Sequence, residues 1–205
     1  MSKRVHILGA AGSGTTTLGR ALAEHCTCPH FDTDDYFWLP SDPPFQHVRS
    51  RPERQALLEA DLVQHRQWVL SGSLCGWGDM CIPLFEVVVF LWVPSTVRLA
   101  RLAERERSRF GEAALAPGRV MSTHHTKFIA WAAAYDDGGL EMRSRQLHEQ
   151  WLRSLLCPIL RLEGTQPWEE SLVQVTQYLS TEPCPAQSEQ STLEWGNKVS
   201  SQSQA

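Results

Sequence analysis

Three glycines, three threonines and a serine crowd one short stretch, Gly9-Ala10-Ala11-Gly12-Ser13-Gly14-Thr15-Thr16-Thr17. It follows the apolar Val5-His6-Ile7-Leu8 and precedes a helical run from Leu18 to His25. Glycines carry no Cβ, so backbone N–H groups can close on an anion. The N-terminus of the following helix adds about half a positive charge at the same spot. The chemistry on offer is the holding of a phosphate chain. Two other groups of residues suit that chemistry. Asp32 and Asp34 can serve a metal-bound water and a substrate hydroxyl. The arginines between Arg98 and Arg109 can neutralise phosphate charge.

The spacing Gly9-x-x-x-x-Gly14-x-Thr16 is the Walker A pattern, except that Thr15 stands in the lysine position. Thr16 falls where a Mg²⁺-binding hydroxyl belongs. A unit charge pair at ~4 Å and an effective dielectric of ~20 is worth roughly 4 kcal/mol before screening. Another part of the chain must therefore supply the missing positive charge, or phosphate is held weakly. The same glycines also allow a loose dinucleotide fingerprint, with Asp32 and Asp34 about 20 residues on as ribose acids. Against it, Thr17 fills the third glycine position, and no Tyr-x-x-x-Lys pair is present; Lys127 and Tyr135 have the wrong order and spacing.

Asp32 and Asp34 alternate after a short strand closed by Phe31, so they face opposite sides unless the turn starts early. A solvated acidic turn, or a helix cap made by Asp34 or Asp35, is the competing reading. Arg49, Arg51 and Arg54 cluster at a helix start, against the dipole preference for acids there, which hints at an anionic partner. Arg98, Arg101, Arg105 and Arg109 recur along one helical face. His124 and His125 are adjacent on a helix and diverge by ~100°, so they do not share a ligand point easily. The six cysteines form no C-x-x-C and no zinc spacing, and read as thiols of a reducing cytosol.

These groups need a scaffold. Strands are expected at Val5–Leu8, up to Phe31, at Trp68–Leu70, at Phe85–Val93 and at Ile159–Leu162. Ser50-Arg51-Pro52-Glu53 is a capping box opening a helix with Leu57, Leu58 and Leu62 inside. A helix capped by Ser95 runs to about Phe110, another from Val120 to Tyr135, and another from Leu140 to Leu156. The last starts at Thr165-Gln166-Pro167. The proline-rich Leu39–His47 is expected to be irregular, with Phe37, Trp38 and Phe45 as loop anchors or stacking partners. Gly76-Trp77-Gly78-Asp79 reads as a flexible loop. Beyond Thr181 the composition predicts a disordered tail, 181–205.

The chain has 205 residues, 42% hydrophobic and 20% charged, with a formal net charge of −4. That suits one α/β domain with a lid, and no basic excess points to nucleic acid. No signal peptide and no run approaching ~18 apolar residues is seen, so a cytoplasmic protein without a membrane span is expected.

The order of these features resembles the adenylate kinase-like and shikimate kinase-like P-loop kinases. Gly9 to Thr17, Phe31-Asp32-Thr33-Asp34, Ser71-Gly72-Ser73 and Arg98 to Arg109 carry the resemblance, over about residues 4 to 180. It implies a three-layer α/β/α sandwich around a five-stranded parallel sheet of order 2-3-1-4-5, in a domain of residues 1–180 with a helical lid at about 104–140. It implies ATP on Gly9–Thr17, Mg²⁺ on Thr16 and Asp32, and Asp34 as the base for an acceptor hydroxyl. Arg101, Arg105 or Arg109 would neutralise the transferred group, and Arg51, Arg54 and Gly72 would line the acceptor site. The acceptor is expected to be a small molecule or nucleotide. The alternative is a nucleotide-binding module without catalysis.

Overall fold

Alternate residues of the strands divide between two apolar layers, as the period of a pleated strand requires. In β1 (Arg4–Gly9), Val5 and Ile7 join one core, while Leu8 joins the other. In β4 (Val87–Trp92), Val87, Val89 and Leu91 alternate with Val88 and Phe90 in the same way. Strands covered on both faces read as nearly continuous apolar runs, which is why the valine-rich β4 is central.

The computed structural model describes residues 3–42 and 44–181. The sequence expectation for the tail at 181–205 lies outside the described residues from position 182 onward. β1, β2 (His30–Asp32), β3 (Trp68–Ser71), β4 and β5 (Ile159–Glu163) form one sheet in the order β2-β3-β1-β4-β5. Every pairing is parallel. Helices α1 (Thr15–Cys26) and α8 (Trp168–Thr181) cover the first face. Helix α3 (Arg51–Val63), the 74–85 segment and α7 (Arg145–Leu152) cover the second. This is the three-layer sandwich and strand order expected from the sequence. The short α2 (Thr33–Phe37) follows β2. Helices α4 (Ser95–Phe110), α5 (Glu112–Leu115) and α6 (Val120–Ala133) form the excursion between β4 and α7.

Several local expectations are corrected. The predicted 140–156 helix begins only at Arg145, because Ser144 caps it by accepting from the Leu147 N–H at 3.0 Å. Gly76–Asp79 is no open loop. Trp77 is buried, and a 3₁₀ helix follows at Asp79–Leu84. The 39–47 loop is closed at its base by an antiparallel bridge between Trp38 and Val48. Pro94, rather than Ser95, is the N-cap of α4.

Two buried histidines make the fold acid-sensitive. His6 is sealed from solvent, stacked on Phe85 at 4.9 Å, and burial pushes it down to about 4. His148 is held between Tyr135 Oη at 2.9 Å and Ser73 Oγ at 3.0 Å. Burial first, then the Arg143 charge, push His148 down to about 3. The folded chain refuses protons that the unfolded chain accepts below 6.5. Stability is therefore whole above that pH and falls as acid is added. The expected loss is about 2 kcal/mol per histidine between pH 7 and pH 5. Urea midpoints at the two pH values measure it, and His6→Phe should flatten the slope. Equal slopes in the parent chain and His6→Phe would contradict the His6 assignment.

Candidate active site

The loop after β1 turns tightly: Ser13 N–H donates to Ala10 O at 3.1 Å, and Gly14, in the left-handed region, is the N-cap of α1. No side chain caps that end, so the first N–H groups of α1 stay available to an anion. Helix α4 leans directly on the loop. A Cβ at Gly12 would meet Arg98 O at 2.6 Å, so only glycine permits that approach. Thr15, in the lysine position, is buried and neutral.

The carboxyl ends of β2 and β3 complete a polar cluster beside the loop. Thr16 Oγ1 donates to Asp32 Oδ2 at 2.7 Å, and Ser71 Oγ reaches the same oxygen at 3.3 Å. His30 Nε2 lies 2.9 Å from Ser71 Oγ. The other Asp32 oxygen accepts from Asp34 N–H at 3.1 Å, making Asp32 the N-cap of α2. The sequence reading that gave the cap to Asp34 or Asp35 is thus corrected. The turn does start early, and Asp34 is set free on the cleft side. Burial, then the charge of Asp32, raise the Asp34 carboxyl above its ordinary range, while Arg143 and Arg105 act against them. Gly72 packs on Thr33 so closely that a Cβ there would overlap Thr33 Oγ1. That contact fixes the start of α2 against the end of β3.

The arginines divide by role. Arg98 is not a phosphate ligand: it is fully buried and spends its guanidinium on Val93 O, Ala132 O and Asp136. Arg101 bridges Ser13 O at 3.4 Å and Gly164 O at 3.1 Å, beside the loop. Arg105 is coupled to Asp34 and Asp32 and lies 3.7 Å from Glu106. Arg109 sits over Phe45 at 5.1 Å and pairs with Glu106 at 3.9 Å, against the 39–47 loop. Arg51 is exposed. Arg54 lies over Phe37 at 4.4 Å and Trp77 at 5.0 Å, with its Nε and Nη1 buried and unpartnered.

Sequence reasoning missed Arg143. Its Nη2 donates to Gly9 O at 2.8 Å, across 134 residues of chain. The missed signal was Ser144, a helix cap that places Arg143 just outside α7.

Donor chemistry fits a hard cation at Thr16 and Asp32. One hydroxyl and one carboxylate converge, the kind of sparse oxygen set by which Mg²⁺ is usually held when phosphates and water supply the rest. Among the described residues there is no cluster of three or more His, Cys, Asp or Glu able to hold a metal by themselves. The dinucleotide reading fails on topology: β1 lies between β3 and β4, whereas that fold places β2 beside β1.

A parallel 2-3-1-4-5 sheet with a glycine loop after its first strand defines the P-loop kinase-like fold. Residues 5–114 match the family described as AAA domain, and the chain belongs to that family. It is 46% identical over 181 residues to a Bacillus subtilis (strain 168) protein called Uncharacterized protein YqaC, spanning 88% of this chain and 99% of that one. Similar solved structures include a sugar kinase from Janibacter sp. HTCC2649, at 16% identity and a TM-score of 0.49, covering 89% of this chain and 97% of that one. A shikimate kinase from Bacteroides thetaiotaomicron aligns at 21% identity and a TM-score of 0.48, covering 87% and 98%. Among the described residues no helix is long and apolar enough to cross a membrane.

Proposed function

We propose that this chain is a phosphotransferase that binds ATP·Mg²⁺ on Gly9–Thr17 and passes the γ-phosphoryl group to a hydroxyl of a small acceptor. The observation that carries the reading is the convergence of Thr16, Asp32 and Asp34 beside an uncapped helix N-terminus. Backbone N–H groups of the loop and the start of α1 hold phosphate oxygens. Thr16 and Asp32 hold the cation, which when bound neutralises charge on the phosphate oxygens. Asp34 accepts the proton of the acceptor hydroxyl, and its raised affinity for protons suits a base. Arg105, facing the same acids, offsets charge on the transferred group. The excursion from about 104 to 140 acts as the lid that keeps water from the reaction.

The acceptor lies on the side of Ser71-Gly72-Ser73 and α3. Arg54, with two unspent donors between aromatic rings, favours an acceptor that carries an anionic group. Arg51 is exposed and reaches that anion only from the rim.

Calorimetric titration with ATP·Mg²⁺, with NAD and NADP as controls, tests the first half. ATP alone should bind, and the dinucleotides should not. Asp32→Asn is expected to weaken the Mg²⁺-dependent part of the affinity by about 10-fold or more, from loss of a charged oxygen ligand. Radiolabelled ATP incubated with a panel of hydroxy acids, sugars and nucleosides tests the second half. No binding of ATP·Mg²⁺ at millimolar concentration would overturn the proposal.

A further inference from the structure

We infer that Arg143 supplies the positive charge that the phosphate loop lacks at Thr15, so that the loop is completed by a residue from beyond the helical excursion. The inference rests on the nucleotide-binding reading above and names the residue that reading leaves unassigned.

The loop cannot charge itself. Thr15 is short, neutral and buried, and no lysine or arginine lies between Gly9 and Thr17. Arg143 is fastened to the loop at its first residue, through Nη2 and Gly9 O at 2.8 Å. Its Nε is buried and makes no hydrogen bond, so the guanidinium keeps an unspent donor in the interior. Electrostatically it faces Asp34 and Asp32, the carboxylates of the site. Burial works against its charge, and those two acids work for it; an arginine in such a setting stays protonated.

Its neighbours hold it in place. Ser144 Oγ donates to Gly139 O at 2.6 Å and also caps α7. Arg145 N–H donates to Tyr135 O at 2.8 Å. The two positions that follow Arg143 are therefore tied to the turn after α6, and the guanidinium arrives already oriented.

The other candidates are committed elsewhere. Arg98 is consumed by two carbonyls and Asp136. Arg101 touches the loop at Ser13 O, but holds Gly164 O with its other arm. Arg105 is already given to the transferred group and, like Arg109, lies beside Glu106; among the described residues no hydrogen bond ties either of them to the loop. Arg143 combines a direct bond to the loop, an unspent donor and coupling to both acids.

A charge exchange tests this. Calorimetry measures the affinity for ATP·Mg²⁺ in the full chain, in Arg143→Met, and in the double variant Thr15→Lys/Arg143→Met. Arg143→Met should weaken binding by about 10- to 100-fold, the worth of a charged hydrogen-bonding group. The double variant should recover most of that loss, because the new ammonium enters from the loop itself. Arg143→Gln keeps a donor for Gly9 O and removes the charge. It should lose as much affinity as Arg143→Met, and it serves in its place should that variant misfold. Unchanged affinity in Arg143→Met or Arg143→Gln overturns the inference. So does a loss that Thr15→Lys fails to repair, which would assign Arg143 to the acceptor or to the fold. A parent chain that does not bind ATP·Mg²⁺ removes the nucleotide reading itself, an outcome separable from the others.

Discussion

Asp34→Asn is expected to slow phosphoryl transfer by about 10²- to 10⁴-fold, the usual worth of a positioned acid–base group. Affinity for ATP·Mg²⁺ should stay within a few-fold of the parent chain. The separation follows from the division of labour after β2. Asp32 accepts from Thr16 and caps α2, while Asp34 contributes only its backbone N–H to that cap. Its carboxyl is thus free of structural duty, and asparagine leaves the turn intact. Burial raises the Asp34 carboxyl, and the parent's rate should fall on the acid side as that carboxyl takes up its proton. Asp34→Asn should abolish that acidic limb along with the rate. Transfer of labelled phosphate from ATP, followed across pH, measures both. Normal turnover in Asp34→Asn would end its assignment as the base.

Arg98→Ala is expected to be the most damaging single change to stability, about 3–5 kcal/mol. The arginine is wholly buried under the start of α4. Its Nε serves Val93 O at 3.0 Å, Nη1 serves Ala132 O at 3.2 Å, and Nη2 meets Asp136 at 2.5 Å. Truncation strands two carbonyls and a carboxylate, and leaves a void beside the Tyr135 ring, which lies 5.0 Å from the guanidinium. The melting temperature should drop by about 10 °C or more for a chain of this size. Scanning calorimetry decides it; a drop within about 2 °C would show that the buried pair does not hold α4 to the end of α6.

How far the sequence could be read depended on how local each signal was. Four of the five strands announce themselves through apolar runs bounded by turns, and the glycine loop through its spacing; β2 holds a single apolar residue, Phe31. The parallel sheet and its strand order come from the resemblance to the P-loop kinases, which those signals carry. The arginine helix was harder. Its periodicity places Arg98 and Arg105 on one face without telling which end of that face is inside. Arg98, Leu102 and Glu106 are the buried residues of α4, four apart. Leu102 was the marker that Arg98 points inward. Arg143 is hidden differently: the helix expected from Leu140 to Leu156 runs straight through Ser144, the residue that caps α7. Its partner Gly9 is 134 residues away, a separation that no local pattern encodes.

β2 pairs through three residues only, at the margin of the sheet. Asp32, its last residue, is at once a rung of that strand, the cap of α2 and the partner of Thr16. A cation drawn to Thr16 and Asp32 would therefore rivet the short edge strand β2 to the start of α1. Amide exchange at residues 30–34 should slow when ATP·Mg²⁺ is added, before any chemistry occurs. The margin of the sheet would then report that the centre is loaded.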